Sequence, residues 1–207
     1  MKKAVLWDYG GVIATGPFEQ FNHFEAEHGL PHDLIRTINS NNPHDNAWAQ
    51  LERSEISLAE FDELFAAEAA AVGHTVRGAD VLATLVHEVR PEMIVLLEKV
   101  KAAGYKVACL TNNTRPMSAS STSRAEFDDV LARFDVVVES SKVGARKPEP
   151  QFYETACQML GVKPHECVFL DDLGINLKPA AAMGMTTIKV TSAAQAIAAL
   201  TQELALV

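Results

Sequence analysis

The 207-residue sequence predicts an α/β fold in which a parallel sheet is covered by helices and a small all-helical segment is inserted after the first strand. Three observations predict it. From about residue 92 onward short apolar runs alternate with helical stretches, the pattern of βαβ units. Between the first apolar run and that alternation the apolar residues follow helical spacing, with no period-2 run. The charge divides at the same place: Ala14 to Glu92 holds 14 acidic and 4 basic residues, net −10, and the remainder is net +1. The expected domains are a core of residues 1–14 and 90–207 and an inserted cap of residues 15–89.

The elements follow in order. Ala4 to Trp7 is the first strand. In the insert, Phe18, Phe21 and Phe24 recur every three residues until Gly29 and Pro31 end the pattern, and Trp48 and Leu51 resume helical spacing after SNNP. Ser57 and Glu60 form a capping box ahead of Phe61, Leu64 and Phe65. Asp80 is expected to cap a helix through Val81, Leu85 and Val89 that ends at Pro91. In the core, helices are expected near Glu92 to Ala103, Ala125 to Ala132, Gln151 to Leu160, up to Ala180, and Ala193 to Leu204. Gly104, Gly161 and Gly184 close three of them. Strands are expected at Lys106 to Leu110, Val136 to Val138, Val168 to Leu170 and Thr186 to Val190. Ser118 to Ser123 is a Ser/Thr-rich patch.

Composition narrows the function classes. With 18 Lys plus Arg against 27 Asp plus Glu and no basic stripe, a nucleic-acid partner is not expected. Three cysteines without a C-x-x-C pair suggest neither zinc nor a disulfide framework, and reduced thiols point to the cytoplasm. Asp8 interrupts the apolar start after four residues, unlike a secretory signal, and no run is long enough for a membrane span.

In an open parallel sheet, ligands bind beyond the carboxyl ends of the strands. The first strand ends in Asp8-Tyr9-Gly10-Gly11, the second in Thr111-Asn112-Asn113 and the fourth in Asp171-Asp172; Lys147 follows the third, within GARKPEP. Each has an ordinary explanation as a turn, cap or solvated charge. Four such loops at one edge of one sheet instead suggest phosphoryl transfer to a carboxylate. Asp8 would be the nucleophile, with Mg2+ held by Asp8, a backbone carbonyl and Asp171 or Asp172. Lys147 would supply a second cation, while Thr111, Asn112 and the amides of Gly10 and Gly11 would hydrogen-bond the phosphate.

VLWDYGGVI, LTNN, RKPEPQFY and VFLDDLGINLKPAAAMGM resemble, in order, the four signature motifs of the haloacid dehalogenase-like hydrolase superfamily, over nearly the whole chain. The last motif and ERSEIS in the insert are most similar to the branch containing the phosphatase-like amino-terminal domain of soluble epoxide hydrolases. The resemblance implies a Rossmann-like core with a helical cap, and the same roles for Asp8, Thr111, Asn112, Lys147, Asp171 and Asp172. It also implies substrate contacts from the cap, for which Trp48, Glu52 and Arg53 are candidates. A small phosphorylated metabolite is the expected substrate, and the acidic cap is expected to disfavour multiply anionic ones.

One position departs from the phosphatase pattern. Two residues after the nucleophile these enzymes usually carry a general-acid Asp, and here stands Gly10, whose backbone carbonyl can still reach the metal but which offers no proton. General acid catalysis contributes about 10²- to 10⁴-fold, so slow turnover or good leaving groups are expected. A metal-independent 2-haloacid dehalogenase, in which Asp8 attacks carbon, is compatible with Gly10. Such enzymes usually carry an aromatic residue at that same position, whereas Tyr9 precedes it and in an extended segment would face the other way. A non-catalytic phosphate-binding member is a third reading. Receiver domains use the same residue types, but their acidic pair precedes the phosphorylated Asp, the reverse of the order here.

Overall fold

The computed structural model describes residues 1–85, 88–113 and 121–206, without the side chains of 121–124. Part of the Ser/Thr-rich patch, residues 118–120, lies outside the described residues.

β1 (Ala4–Trp7) is followed by five helices, α1 (Pro17–Glu27), α2 (Leu34–Ser40), α3 (Ala47–Glu52), α4 (Leu58–Ala71) and α5 (Gly78–Ala83). The alternating part then runs α6 (Pro91–Ala102), β2 (Lys106–Thr111), α7 (Ser121–Leu131), β3 (Val136–Glu139), α8 (Ser140–Val143) and α9 (Pro150–Leu160). It closes with β4 (Cys167–Asp171), α10 (Gly174–Ala182), β5 (Thr186–Lys189) and α11 (Ala193–Leu204). The strands form one parallel sheet in the order β3-β2-β1-β4-β5. The order reverses around β1, so the crevice expected of such sheets opens at its carboxyl end, where Asp8 follows.

Period-2 alternation divides the strand residues between two apolar layers. Val5, Trp7, Val107, Cys109, Val168 and Leu170 pack with α6 and α11 through Met93, Leu97, Val100, Leu200 and Leu204. Leu6, Ala108, Leu110 and Phe169 pack on the other face against Phe152, Tyr153 and Leu160 of α9. Burial on both faces is why these strands read as continuous apolar runs. Cys109 is a fully buried core residue, and all three cysteines are free thiols.

The inserted helices have their own apolar cluster, centred on Phe21, Ile35, Ile38, Phe61 and Phe65. The Ser57–Glu60 capping box forms as the sequence predicts. Two expectations here are corrected. Asp80 is not the cap of α5: Arg77 occupies that position and Asp80 lies in the first turn. A Cβ on Gly78 would lie 2.8 Å from the Phe61 ring, so a glycine lets the helix start early and close to α4. Val89 is not helical. It bridges Ala14 antiparallel, with Thr15 N–H donating to the Glu88 carbonyl and Arg90 N–H to the Ile13 carbonyl, both at 2.9 Å. The two connections between insert and sheet are thereby tied together. Apolar spacing alone did not indicate α2 or the one-turn α8.

No helix among the described residues is long and apolar enough to cross a membrane.

Candidate active site

The carboxyl end of β1 makes a tight turn in which the Ile13 and Ala14 amides both donate to the Tyr9 carbonyl at 2.9 Å. Gly11 occupies the left-handed region (φ 79°), and a Cβ there would stand 2.4 Å from the Asp172 carboxyl carbon. Glycine is required at this position on both counts. Gly11 therefore lies behind Asp172, with its carbonyl accepting from Arg90 at 3.0 Å. Gly10 lines the cavity, whereas Gly11 is not among its lining residues.

Asp8, Lys147 and Asp171 meet at the carboxyl ends of β1 and β4, where Asp8 and Lys147 line a cavity. Lys147 Nζ, almost completely buried, lies 2.6 Å from Asp8 Oδ1 and 2.9 Å from Asp171 Oδ2. Burial works against its charge, yet Asp171 and Asp8 outweigh this and hold the ammonium pKa above its ordinary value. Asp8 Oδ1 also accepts the Tyr9 amide at 2.7 Å, leaving Oδ2 without a hydrogen bond among the described residues. Burial raises the Asp8 pKa, Lys147 opposes that rise, and Asp171 and Asp172 add to it.

The two adjacent aspartates differ in surroundings. Asp171 accepts from Lys147 Nζ, from the Leu173 amide at 2.8 Å, and from Asn176 Nδ2 at 3.0 and 3.1 Å. Its oxygens are occupied by protein donors. Asp172 has no salt-bridge partner among the described residues, and burial followed by the neighbouring Asp171 charge pushes its pKa up to about 6. Oxygens of Asp8, Asp171 and Asp172 lie within 4.8 Å of one another. An all-oxygen set with excess negative charge fits a hard divalent cation such as Mg2+. The surplus carboxylate capacity lies on Asp8 and Asp172.

Thr111, Asn112, Lys147 and Asp172 line one cavity of about 1190 Å³, together with Asp8 and Gly10. Asn112 has a further task. Its Oδ1 accepts the Lys147 amide at 2.9 Å and its Nδ2 donates to the Lys147 carbonyl at 3.0 Å. Tyr9 also lines the cavity, with its ring edge-on to Phe127 at 4.8 Å. Tyr9 also packs in the apolar layer of Val5 and Trp7, opposite that of Leu6, so the alternation of the strand carries on to Tyr9 as an extended segment predicts.

From the insert, Trp48 lines the cavity beside Phe18 and Phe21. Glu52 and Arg53 behave differently. Glu52 pairs with Arg146 at 2.5 Å, and Arg53 with Glu149 at 3.2 Å, so both hold the insert to the sheet domain. The acidic-lid expectation is also corrected. Of the acidic residues from Ala14 to Glu92, Glu52 alone lines the cavity among the described residues, and it is neutralised by Arg146, while Arg36 lines the same wall. Most of the segment's negative charge is on other surfaces.

Sequence reading passed over Arg146 and Asn176. Arg146 was detectable as the neighbour of Lys147, and Asn176 as a first-turn residue following the acidic pair.

A family model for haloacid dehalogenase-like hydrolases matches residues 2–184. The chain belongs to this family. It is 30% identical over 207 residues to bifunctional epoxide hydrolase 2 of Mus musculus, covering 94% of this chain and 37% of that protein. It is 33% identical over 100 residues to (S)-2-haloacid dehalogenase 4A of Burkholderia cepacia, covering 48% and 42% respectively. The chain thus spans about two fifths of the length of these relatives. A HAD family enzyme from Bacteroides thetaiotaomicron, solved in complex with magnesium and inorganic phosphate, superposes with a TM-score of 0.60 at 21% identity, covering 91% of this chain and 93% of that one. The superposition establishes a shared fold, and the epoxide hydrolase likeness agrees with the branch indicated by the motifs.

Proposed function

We propose that this haloacid dehalogenase-like hydrolase is a Mg2+-dependent phosphatase of small phosphomonoesters acting through Asp8. The observation that carries this reading is the contrast at the end of β4. Asp171 is committed to Lys147 and Asn176, while Asp172 lies beside Asp8 with no salt-bridge partner among the described residues, as a divalent-cation ligand would. The magnesium and phosphate bound by the Bacteroides enzyme support it.

Asp8, Asp172 and the Gly10 carbonyl would hold Mg2+, which when bound supplies charge neutralisation to the phosphate. An Asp8 carboxylate oxygen forms a bond to phosphorus as the ester P–O bond breaks, and the leaving group departs with the ester oxygen. Water then attacks phosphorus of the acyl-phosphate, releasing inorganic phosphate and restoring the carboxylate. Lys147 stays protonated between Asp8 and Asp171, stabilising charge near the transferred group. Thr111, which lines the cavity, would donate its hydroxyl to a phosphate oxygen. The leaving oxygen receives no proton from Gly10, so rates should rise steeply as leaving-group pKa falls.

The test is hydrolysis of aryl phosphates of graded leaving-group pKa with Mg2+, with EDTA, and in Asp8→Asn. Turnover lost in EDTA and in the variant is the expected result; equal turnover in EDTA overturns the reading. The similarity to a 2-haloacid dehalogenase favours a second reading, in which Asp8 displaces halide from carbon. Halide release from 2-haloacids in EDTA would establish it. A cytoplasmic location and the absence of nucleic-acid or membrane partners belong to the same proposal, resting on free buried thiols and net charge −9.

A further inference from the structure

Three positions of one loop, Arg146, Lys147 and Glu149, are tied to the insert. On one side, Arg146 gives Nε to Glu52 Oε2 at 2.5 Å and Nη1 to the Pro43 carbonyl at 3.0 Å. On the other, Glu149 accepts Arg53 Nη1 at 3.2 Å. Lys147 itself is linked indirectly. Its amide and carbonyl engage Asn112, whose Nδ2 also donates to Glu52 Oε2 at 3.1 Å.

A carboxamide has two N–H donors and one carbonyl. The donors of Asn112 meet the Lys147 carbonyl and Glu52, and its carbonyl meets the Lys147 amide, so one orientation satisfies all three partners. Glu52 is itself held, since Trp48 Nε1 donates to its Oε1 at 2.9 Å. Glu52 and Arg146 are mostly buried, with side chains 9% and 14% exposed, so separating them leaves charges in a poorly solvated interface.

We infer that Glu52 is a positioning residue: docked against the sheet domain, it orients Asn112 and Arg146 and so sets the backbone of the Lys147 loop for catalysis. This rests on the phosphatase reading for what Lys147 does, though not for where it is held. Lys147 Nζ is placed by Asp8 and Asp171, and its main chain by Asn112. Without Glu52, Asn112 loses one partner and Arg146 its counter-ion. The loop then samples positions in which the ammonium is no longer aligned with Asp8. Catalysis becomes conditional on the insert being docked.

The test pairs a structural readout with a kinetic one on the full chain. Amide hydrogen exchange is followed at residues 145–149 in wild type, Glu52→Gln and Glu52→Ala, with β1 and β4 as internal controls. Exchange at Lys147 is expected to accelerate at least about tenfold in Glu52→Ala and less in Glu52→Gln, while the strands keep their protection. Unchanged exchange at Lys147 overturns the inference, whether or not the protein is a phosphatase. Hydrolysis of p-nitrophenyl phosphate with Mg2+ is then measured in a cycle of Glu52→Ala and Lys147→Arg. A fall of about 10- to 100-fold in kcat at little-changed KM is expected in Glu52→Ala, with no further fall when it is added to Lys147→Arg. Independent, multiplicative effects overturn the inference. No hydrolysis by wild type refutes the phosphatase reading and leaves the exchange result to decide the positioning role. If Glu52→Ala does not fold, Glu52→Gln carries both arms.

Discussion

Asp171 and Asp172 are adjacent in the chain and chemically identical, yet their surroundings assign them different work. Asp171 helps neutralise a buried lysine and is bonded by Asn176 and the Leu173 amide. Removing its charge leaves Lys147 with Asp8 alone, and breaking a buried pair typically costs about 3–5 kcal/mol. Asp171→Asn should therefore lower stability by about 3 kcal/mol in urea denaturation. Asp172 has no such structural partner among the described residues, so Asp172→Asn should fold with near-wild-type stability and lose its calorimetric response to Mg2+. The opposite pattern would mean that Asp171 is the principal ligand. Gly11 belongs with this pair, because only a residue without Cβ lets the β1 turn lie against Asp172.

Helices α3 and α4 show how local chemistry places the insert. In α4, the Ser57 side chain accepts the Glu60 amide and the Glu60 carboxylate accepts the Ser57 amide at 2.7 Å, satisfying two donors left open at a helix start. Ser57→Ala should destabilise the protein by about 1 kcal/mol, read as a lower urea midpoint with unchanged m-value. In α3, Asn46 caps the first turn by accepting the Ala49 amide at 2.8 Å, and α3 ends at Glu52. The capping box is legible in sequence because its partners are three residues apart. The pairing of Glu52 with Arg146 is not, because those residues are 94 apart and come from different units.

Across the whole molecule, net charge is a poor guide to the field at the site. The segment from Ala14 to Glu92 is net −10, yet its only described acidic residue in the cavity wall is paired. Exposed charge on other surfaces is screened over about 8–10 Å in physiological salt. Around the predicted nucleophile, the negative charge comes instead from Asp8, Asp171 and Asp172, with Lys147 between Asp8 and Asp171. This gives the metal-free protein a definite pH dependence. Asp172 titrates near 6 when folded, above the roughly 3.9 of an unfolded aspartate. The folded state therefore holds the extra proton between those values, and this group's contribution to stability falls as pH rises through that window. Mg2+ would bind the ionised form. The rise in Tm on adding Mg2+ should be large near pH 7.5 and small near pH 5, as read by differential scanning fluorimetry; a pH-independent rise would exclude Asp172 as a ligand.

The sequence by itself determined the alternation of strands and helices, the helical insert, and the delivery of Asp8, Thr111, Lys147 and the Asp171-Asp172 pair to one sheet edge. These follow from short-range patterns and from parallel topology, which sends every strand's carboxyl end to the same side. The tertiary structure alone decided which aspartate is bound by protein donors, that Asn112 grips the Lys147 backbone, and that Glu52 and Arg53 turn to the sheet domain. Those outcomes depend on which donors surround a side chain in space, and the donors come from segments tens of residues away.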